Sequence, residues 1–161
     1  MNREERKKRL EEMVRARKMN EDKLENDRRI SELRELFPAG KAVEILDVKE
    51  SEHVETEMTD RFPIAWYGRI DWDKMSNKRV LAYEELQHIT DILSRQGLDH
   101  TLPVYVIVGL HGYPLVKTSL TTTMESIEEI MYMGPDQYIY CPLSNYVIEF
   151  FHDDVITLGW L

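Results

Sequence analysis

The sequence predicts an α+β domain with a mainly antiparallel sheet, packed helices and a long charged N-terminal helix. Three observations lead to it. Strand-like runs recur in pairs joined by short polar connections, the pattern of hairpins rather than crossover units. Tyr138 to Leu161 is the most apolar and most β-prone stretch of the 161-residue chain. Residues 2–36 contain no proline or glycine and are dense in Arg, Lys, Glu, Leu and Met, all good helix formers.

Within residues 2–36, Glu4 and Lys8, and Glu5 and Arg9, sit four apart with the acid first, a spacing that supports a helix. Apolar positions are sparse at first (Leu10, Met13, Val14, Met19). They thicken at Leu24, Ile30, Leu33, Leu36 and Phe37. The spacing predicts one long helix, or two broken near Asn20, solvated in its distal half and packed on the domain in its proximal half. No sustained heptad runs through it. Pro38, Ala39 and Gly40 end it. The predicted organisation is therefore a charged helical extension over residues 1–37 and a single α+β domain over residues 38–161.

Ala42–Val48 (AVEILDV) alternates well enough for a strand. Lys49–Asp60 is crowded with acids and reads as a loop or an exposed edge. Pro63–Ile70 (PIAWYGRI) reads as a second strand, and Asp71, Trp72 and Asp73 as its solvated end. Asn77 is a fair N-cap for an amphipathic helix to about Gln96, closed by Gly97, with His88 on its polar flank. Leu102–Leu110 (LPVYVIVGL) is continuously apolar, as expected for a strand covered on both faces. A turn at His111–Gly112 leads into a returning partner over Tyr113–Ser119. Met124–Met133 reads as a short helix with Met124, Ile127, Ile130 and Met131 facing the sheet.

Three closing strands follow. Tyr138–Cys141 stops at Pro142. Tyr146–Phe151 (YVIEFF) and Val155–Leu161 (VITLGWL) flank the polar turn His152-Asp153-Asp154. Alternation puts Tyr146, Ile148 and Phe150 on one face, and Ile156, Leu158 and Trp160 on one face of the next strand. The opposite faces are also largely apolar, so this hairpin is expected to be covered on both sides or to lie centrally in the sheet. A chain ending inside the last strand predicts a buried C-terminus. Glu149 interrupts the apolar run. It reads as a functional carboxylate, or as a strand residue facing solvent or paired with a neighbour.

The net charge of −9 is unevenly distributed. Residues 1–35 hold 12 Lys and Arg against 10 Asp and Glu, a net of +2, whereas residues 36–161 hold 9 against 20, a net of −11. An acidic body repels nucleic-acid phosphates and steers basic partners toward it; the same acidity also serves solubility. No basic patch with interleaved aromatics is present, so nucleic acid is not the expected partner. No apolar run is long enough to span a bilayer, and the charged N-terminus lacks the apolar segment of a secretory signal. The single cysteine, Cys141, reads as a buried thiol. A cytoplasmic protein is expected.

The motifs of phosphate-binding loops, dinucleotide folds, nucleophile elbows and zinc proteases are all missing. No cofactor is implied. Glu149, His152, Asp153 and Asp154 form the set on which a metal-dependent hydrolase could be built; the alternative for the last three is a polar hairpin turn. Asp71 and Asp73 flank Trp72 and could be read as a metal pair, but the lysine-bearing KMSNK that follows adds no ligands. An exposed tryptophan between carboxylates suits contact with a basic protein better.

The closing YIYCPLSNYVIEFFHDDVITLGW resembles a pattern of small bacterial immunity proteins from polymorphic-toxin systems, in which a late hairpin of the form x-V-I-E-F-x-H-D-x-x-I-T-L-G closes a compact α+β domain. The resemblance covers about the last 24 residues. It implies a non-enzymatic antitoxin that binds a cognate protein toxin and blocks its active site. Such toxins are often nucleases with basic grooves, which an acidic body would suit. The expected interface is Glu52, Glu55, Glu57 and Asp60 together with Trp66, Asp71, Trp72 and Asp73. The alternatives are the metal-dependent hydrolase and a regulatory adaptor that uses the helical arm. The sequence assigns no oligomeric state.

Overall fold

A computed structural model describes residues 2–109 and 112–161. The first helix, α1 (Arg3–Leu36), is continuous through Asn20. Asn2 caps it: its side chain accepts the Glu5 backbone N–H at 2.8 Å, and the Glu5 carboxylate accepts the Asn2 N–H at 2.9 Å. This reciprocal box satisfies two of the helix's otherwise unpaired donors. Leu33 is fully buried. It packs with Phe37, Val106, Val108, Val116 and Ile130, which ties the last turns of α1 to the sheet.

The chain continues through β1 (Glu44–Ile45), α2 (Val48–Arg61), β2 (Lys78–Leu81), α3 (Ile89–Arg95), β3 (Val104–Val108) and β4 (Val116–Thr118). The helices α4 (Leu120–Glu125) and α5 (Ile127–Met131) follow, then β5 (Gln137–Cys141), β6 (Tyr146–Phe151) and β7 (Val155–Trp160). Seven strands form one sheet in the order β1-β4-β3-β5-β6-β7-β2. Every pairing among the described residues is antiparallel. The α+β class and its mainly antiparallel sheet are thus as expected.

The closing hairpin lies inside the sheet with both faces covered. Tyr146, Ile148, Phe150, Ile156 and Leu158 pack with Leu86, Ile89, Ile92 and Leu93, Leu120 and Ile127. On the other face, Tyr140 and Val147 pack with Val54, Met58, Phe62, Ile70 and Met75. The turn His152–Asp154 closes β6 onto β7, with Asp154 at φ 60°, a conformation that Asp tolerates better than most residues. Cys141 is buried and its thiol donates to the Pro103 carbonyl; burial raises its pKa.

Several local expectations are corrected. Residues 49–60 are neither loop nor edge but lie within α2. Ser51, Val54 and Met58 are its buried residues, at helical spacing. That stripe is narrow, and the acids between hide it from a periodicity argument. Asp47 caps α2 by accepting from the Glu50 N–H at 2.8 Å. The strand expected over 42–48 shrinks to Glu44–Ile45. Pro63–Ile70 is a tight turn, closed by a single Ile64–Ile70 bridge. The helix expected from Asn77 is replaced by β2, a 3-10 turn (Tyr83–His88) and the shorter α3. The register of β2 explains this. It pairs Lys78–Leu81 with Gly159–Ile156 and so satisfies the outer edge of β7, a demand that exists only in the folded sheet. The helix expected over 124–133 is split at Ser126 into α4 and α5. Leu161 is 55% exposed, so the C-terminal residue is not buried. Of the expected His111–Gly112 turn, His111 lies outside the described residues.

Candidate protein-interaction surface

Glu149 sits in the middle of β6, opposite Tyr138 of β5 and Thr157 of β7, and is 0% exposed. Strand alternation turns it toward the face covered by α2. A carboxylate there requires compensation. Both partners come from the segment after α2: the Arg69 guanidinium forms an ion pair with Oε1, and the Trp72 indole N–H donates to the same oxygen at 3.0 Å. Arg69 also stacks on the Phe151 ring, 3.7 Å from its centroid, where a cation is attracted to the π-face. Burial and the Glu149 charge both push the neighbouring Tyr138 hydroxyl to a higher pKa.

These contacts pin residues 62–75 across the sheet. Phe62 and Ile70, on either side of the turn, are buried. Between them the Gly68 N–H donates to the Ala65 carbonyl at 2.9 Å, and the Ala65 N–H donates to Arg69 at 2.8 Å. Gly68 adopts φ 89°, a conformation open to glycine. The turn projects Trp66 and Tyr67, which are 95% and 60% exposed. Their rings meet edge to face, with centroids 5.3 Å apart, a favourable aromatic geometry.

The acids of α2 lie in the same layer. Glu52, Glu55 and Asp60 are exposed. Desolvation, then the Glu52 charge, raises the pKa of Glu55. Glu57 is half-buried and already engaged: the Tyr140 hydroxyl donates to it at 2.9 Å, and Arg61 lies 3.2 Å away. Arg61 in turn donates to the Pro142 carbonyl and to Asn145 Oδ1. These bonds staple the end of α2 to the β5–β6 turn.

The expected interface residues therefore divide into two groups. Glu52, Glu55, Asp60, Trp66 and Asp73 face solvent. Glu57, Asp71 and Trp72 are partly buried and serve the fold. Trp72 is partly exposed but lies in a 3-10 turn over Gly159, with its indole N–H engaged by Glu149. Asp71 precedes that turn and pairs with Lys74 at 3.5 Å. Sequence reasoning missed Tyr67 and Arg69. The WYG triplet, two aromatics before a turn-forming glycine, was the available signal for Tyr67. Nothing local marks Arg69, whose partner lies 80 residues away.

Glu149, His152, Asp153 and Asp154 do not gather as a ligand set. Glu149 points to the α2 face, while His152 lies in the turn and contacts Asp136 at 3.1 Å. Among the described residues, no three His, Cys, Asp or Glu side chains are grouped to hold a metal ion.

A family model described as "CdiI immunity protein EcoliA0-like" matches residues 35–159, well over half of the chain. The chain belongs to this CdiI immunity protein family. The match takes in the sheet except for the last residue of β7, together with α2 and the Trp66–Tyr67 turn, and it begins at the last turn of α1. The resemblance in the closing hairpin is thereby extended to the domain. No curated protein matches the chain. Among the described residues, no helix of this CdiI immunity family member is long and apolar enough to cross a membrane.

Proposed function

We propose that this protein neutralises a cognate protein toxin by binding it, without catalysis. The toxin contacts the outer side of α2 and the Trp66–Tyr67 turn. The observation that carries this reading is a projecting aromatic pair beside the exposed carboxylates of Glu52, Glu55 and Asp60, on a turn anchored by a buried ion pair. Large aromatics at the centre of an interface supply most of the binding energy, and a ring of charge sets partner choice and encounter rate. A preorganised turn loses little freedom on binding. The net charge of −11 over residues 36–161 favours a basic toxin domain, such as a nuclease with a cationic groove. The setting is the cytoplasm of a bacterial cell.

The test is co-expression with the toxin from the same locus, together with a binding measurement on the purified pair. Trp66→Ala, and separately Glu52→Lys with Glu55→Lys, should each weaken binding by about tenfold or more and reduce protection. Circular dichroism should stay unchanged and the thermal midpoint should not fall, since these side chains are exposed. Full protection by both variants would remove this surface from the interface.

A further inference from the structure

Among the described residues, none covers the outer part of α1. Every residue from Asn2 to Glu25 is exposed, so on the order of 35 Å of helix stands clear at ~1.5 Å per residue. A helix that is mostly polar and lacks tertiary support is marginal by itself. Leu10, Met13, Val14 and Leu24 are each exposed on it. At ~100° per residue they fall within one arc of about 100°. Arg3, Arg6, Arg17, Glu21, Arg28, Ser31, Glu32 and Glu35 share that arc. The residues that attach α1 to the domain, Arg29, Leu33 and Phe37, lie roughly 100° or more round the helix from Leu10. Over residues 2–25 the stripe therefore faces away from the body and is open; further along, Glu32 at its edge accepts from the Tyr113 hydroxyl.

Charge is segregated along the same helix. Residues 3–19 carry eight Lys and Arg against four Glu, whereas residues 20–35 carry four against six Asp and Glu. We propose that α1 pairs with α1 of a second copy, antiparallel, crossing at the level of Met19. This alignment sets Val14 against Leu24, Arg17 against Glu21 and Arg3 against Glu35, each twice by two-fold symmetry. Arg17 and Glu21 already lie 3.1 Å apart within one helix. Pairing therefore builds a four-residue cluster of alternating charge at the centre, flanked by an apolar layer on each side. A parallel pair would instead put the two basic halves side by side. The contact needs no sustained heptad, only this short seam. Because the seam faces away from each body, the two domains sit at opposite ends and their α2 surfaces remain open.

The test uses the full-length protein without toxin. Sedimentation equilibrium from low to high micromolar concentration should show a monomer–dimer equilibrium. Arg17→Glu should weaken the dimer about tenfold, and the exchange Arg17→Glu with Glu21→Arg should restore it; circular dichroism checks that helix content is equal in both. A spin label at Leu10→Cys, Cys141 being buried, should report a separation of about 27 Å between copies in the antiparallel dimer, against about 10 Å for a parallel one. A monomer at every concentration, a label separation near the parallel value, or an Arg17→Glu dimer as tight as wild type would each overturn the proposal. So would a monomer whose toxin affinity drops with Leu10→Glu and Val14→Glu, since α1 would then serve the toxin.

Discussion

The Trp72 indole N–H and the Arg69 guanidinium converge on one oxygen of Glu149. A carboxylate in an interior strand of the sheet thus holds the segment that displays Trp66 and Tyr67. Glu149→Gln removes the countercharge while leaving Arg69 largely buried. Breaking one side of a buried pair costs about 3 kcal/mol or more, and chemical denaturation should show a loss of that size. The double change Glu149→Leu with Arg69→Met should recover most of it, because burying neither charge is close to neutral. Toxin affinity should stay low in the double variant, since the anchor of the turn is gone.

Gly159 is where Trp72 lies down. A β-carbon there would collide with the Trp72 ring and press on Met75. Gly159→Ala should therefore displace the indole at a cost of about 1–3 kcal/mol. Tryptophan emission should shift to the red as the ring moves toward solvent.

Glu55 links stability and binding with opposite signs. Its folded-state pKa is raised by burial and by Glu52, so ionisation of this carboxylate opposes folding. The stability it contributes is complete below the ordinary carboxylate pKa and is lost as pH rises through the raised value. Glu55→Gln should therefore stabilise the free protein slightly at neutral pH while weakening its hold on a basic toxin. Titration calorimetry in buffers of different ionisation heat should show proton release on binding when the pH lies near the raised value. Equal proton counts for wild type and Glu55→Gln would assign the linkage to another group.

Tyr138, Tyr140 and Tyr146 are held protonated by burial, with pKa values raised well above the ordinary phenol. They favour the folded state fully below about pH 10, the unfolded pKa. That stability is lost as the pH rises further, because only the unfolded chain ionises there. Alkaline unfolding should be steep above about pH 10. The absorbance of ionised tyrosine should appear in two steps, exposed rings first and these three together with unfolding.

Much of this architecture was legible in the residues alone. The closing hairpin carries its own register, because alternation of Tyr146, Ile148 and Phe150 against Ile156, Leu158 and Trp160 allows one pairing with both faces buried. Helix α1 needed only the absence of Pro and Gly and a dense run of good helix formers. The acidic character of the body is composition itself, and it pointed toward a protein partner.

Other features were decided by tertiary contact. Val48–Arg61 looks like a loop because only one narrow stripe of it is apolar; the sheet face above Tyr140 and Val147 selects the helix that covers it. Lys78–Leu81 is a strand because β7 has an edge to pair, and no local propensity announces a distant edge. The roles of Trp66, which projects, and Trp72, partly buried against Glu149, were likewise not separable in sequence. What distinguishes them is a carboxylate 77 residues from Trp72 that becomes a neighbour only when the chain folds. Local propensity and periodicity are properties of adjacent residues. Compensation of a buried charge and pairing of a strand edge are properties of the assembled sheet.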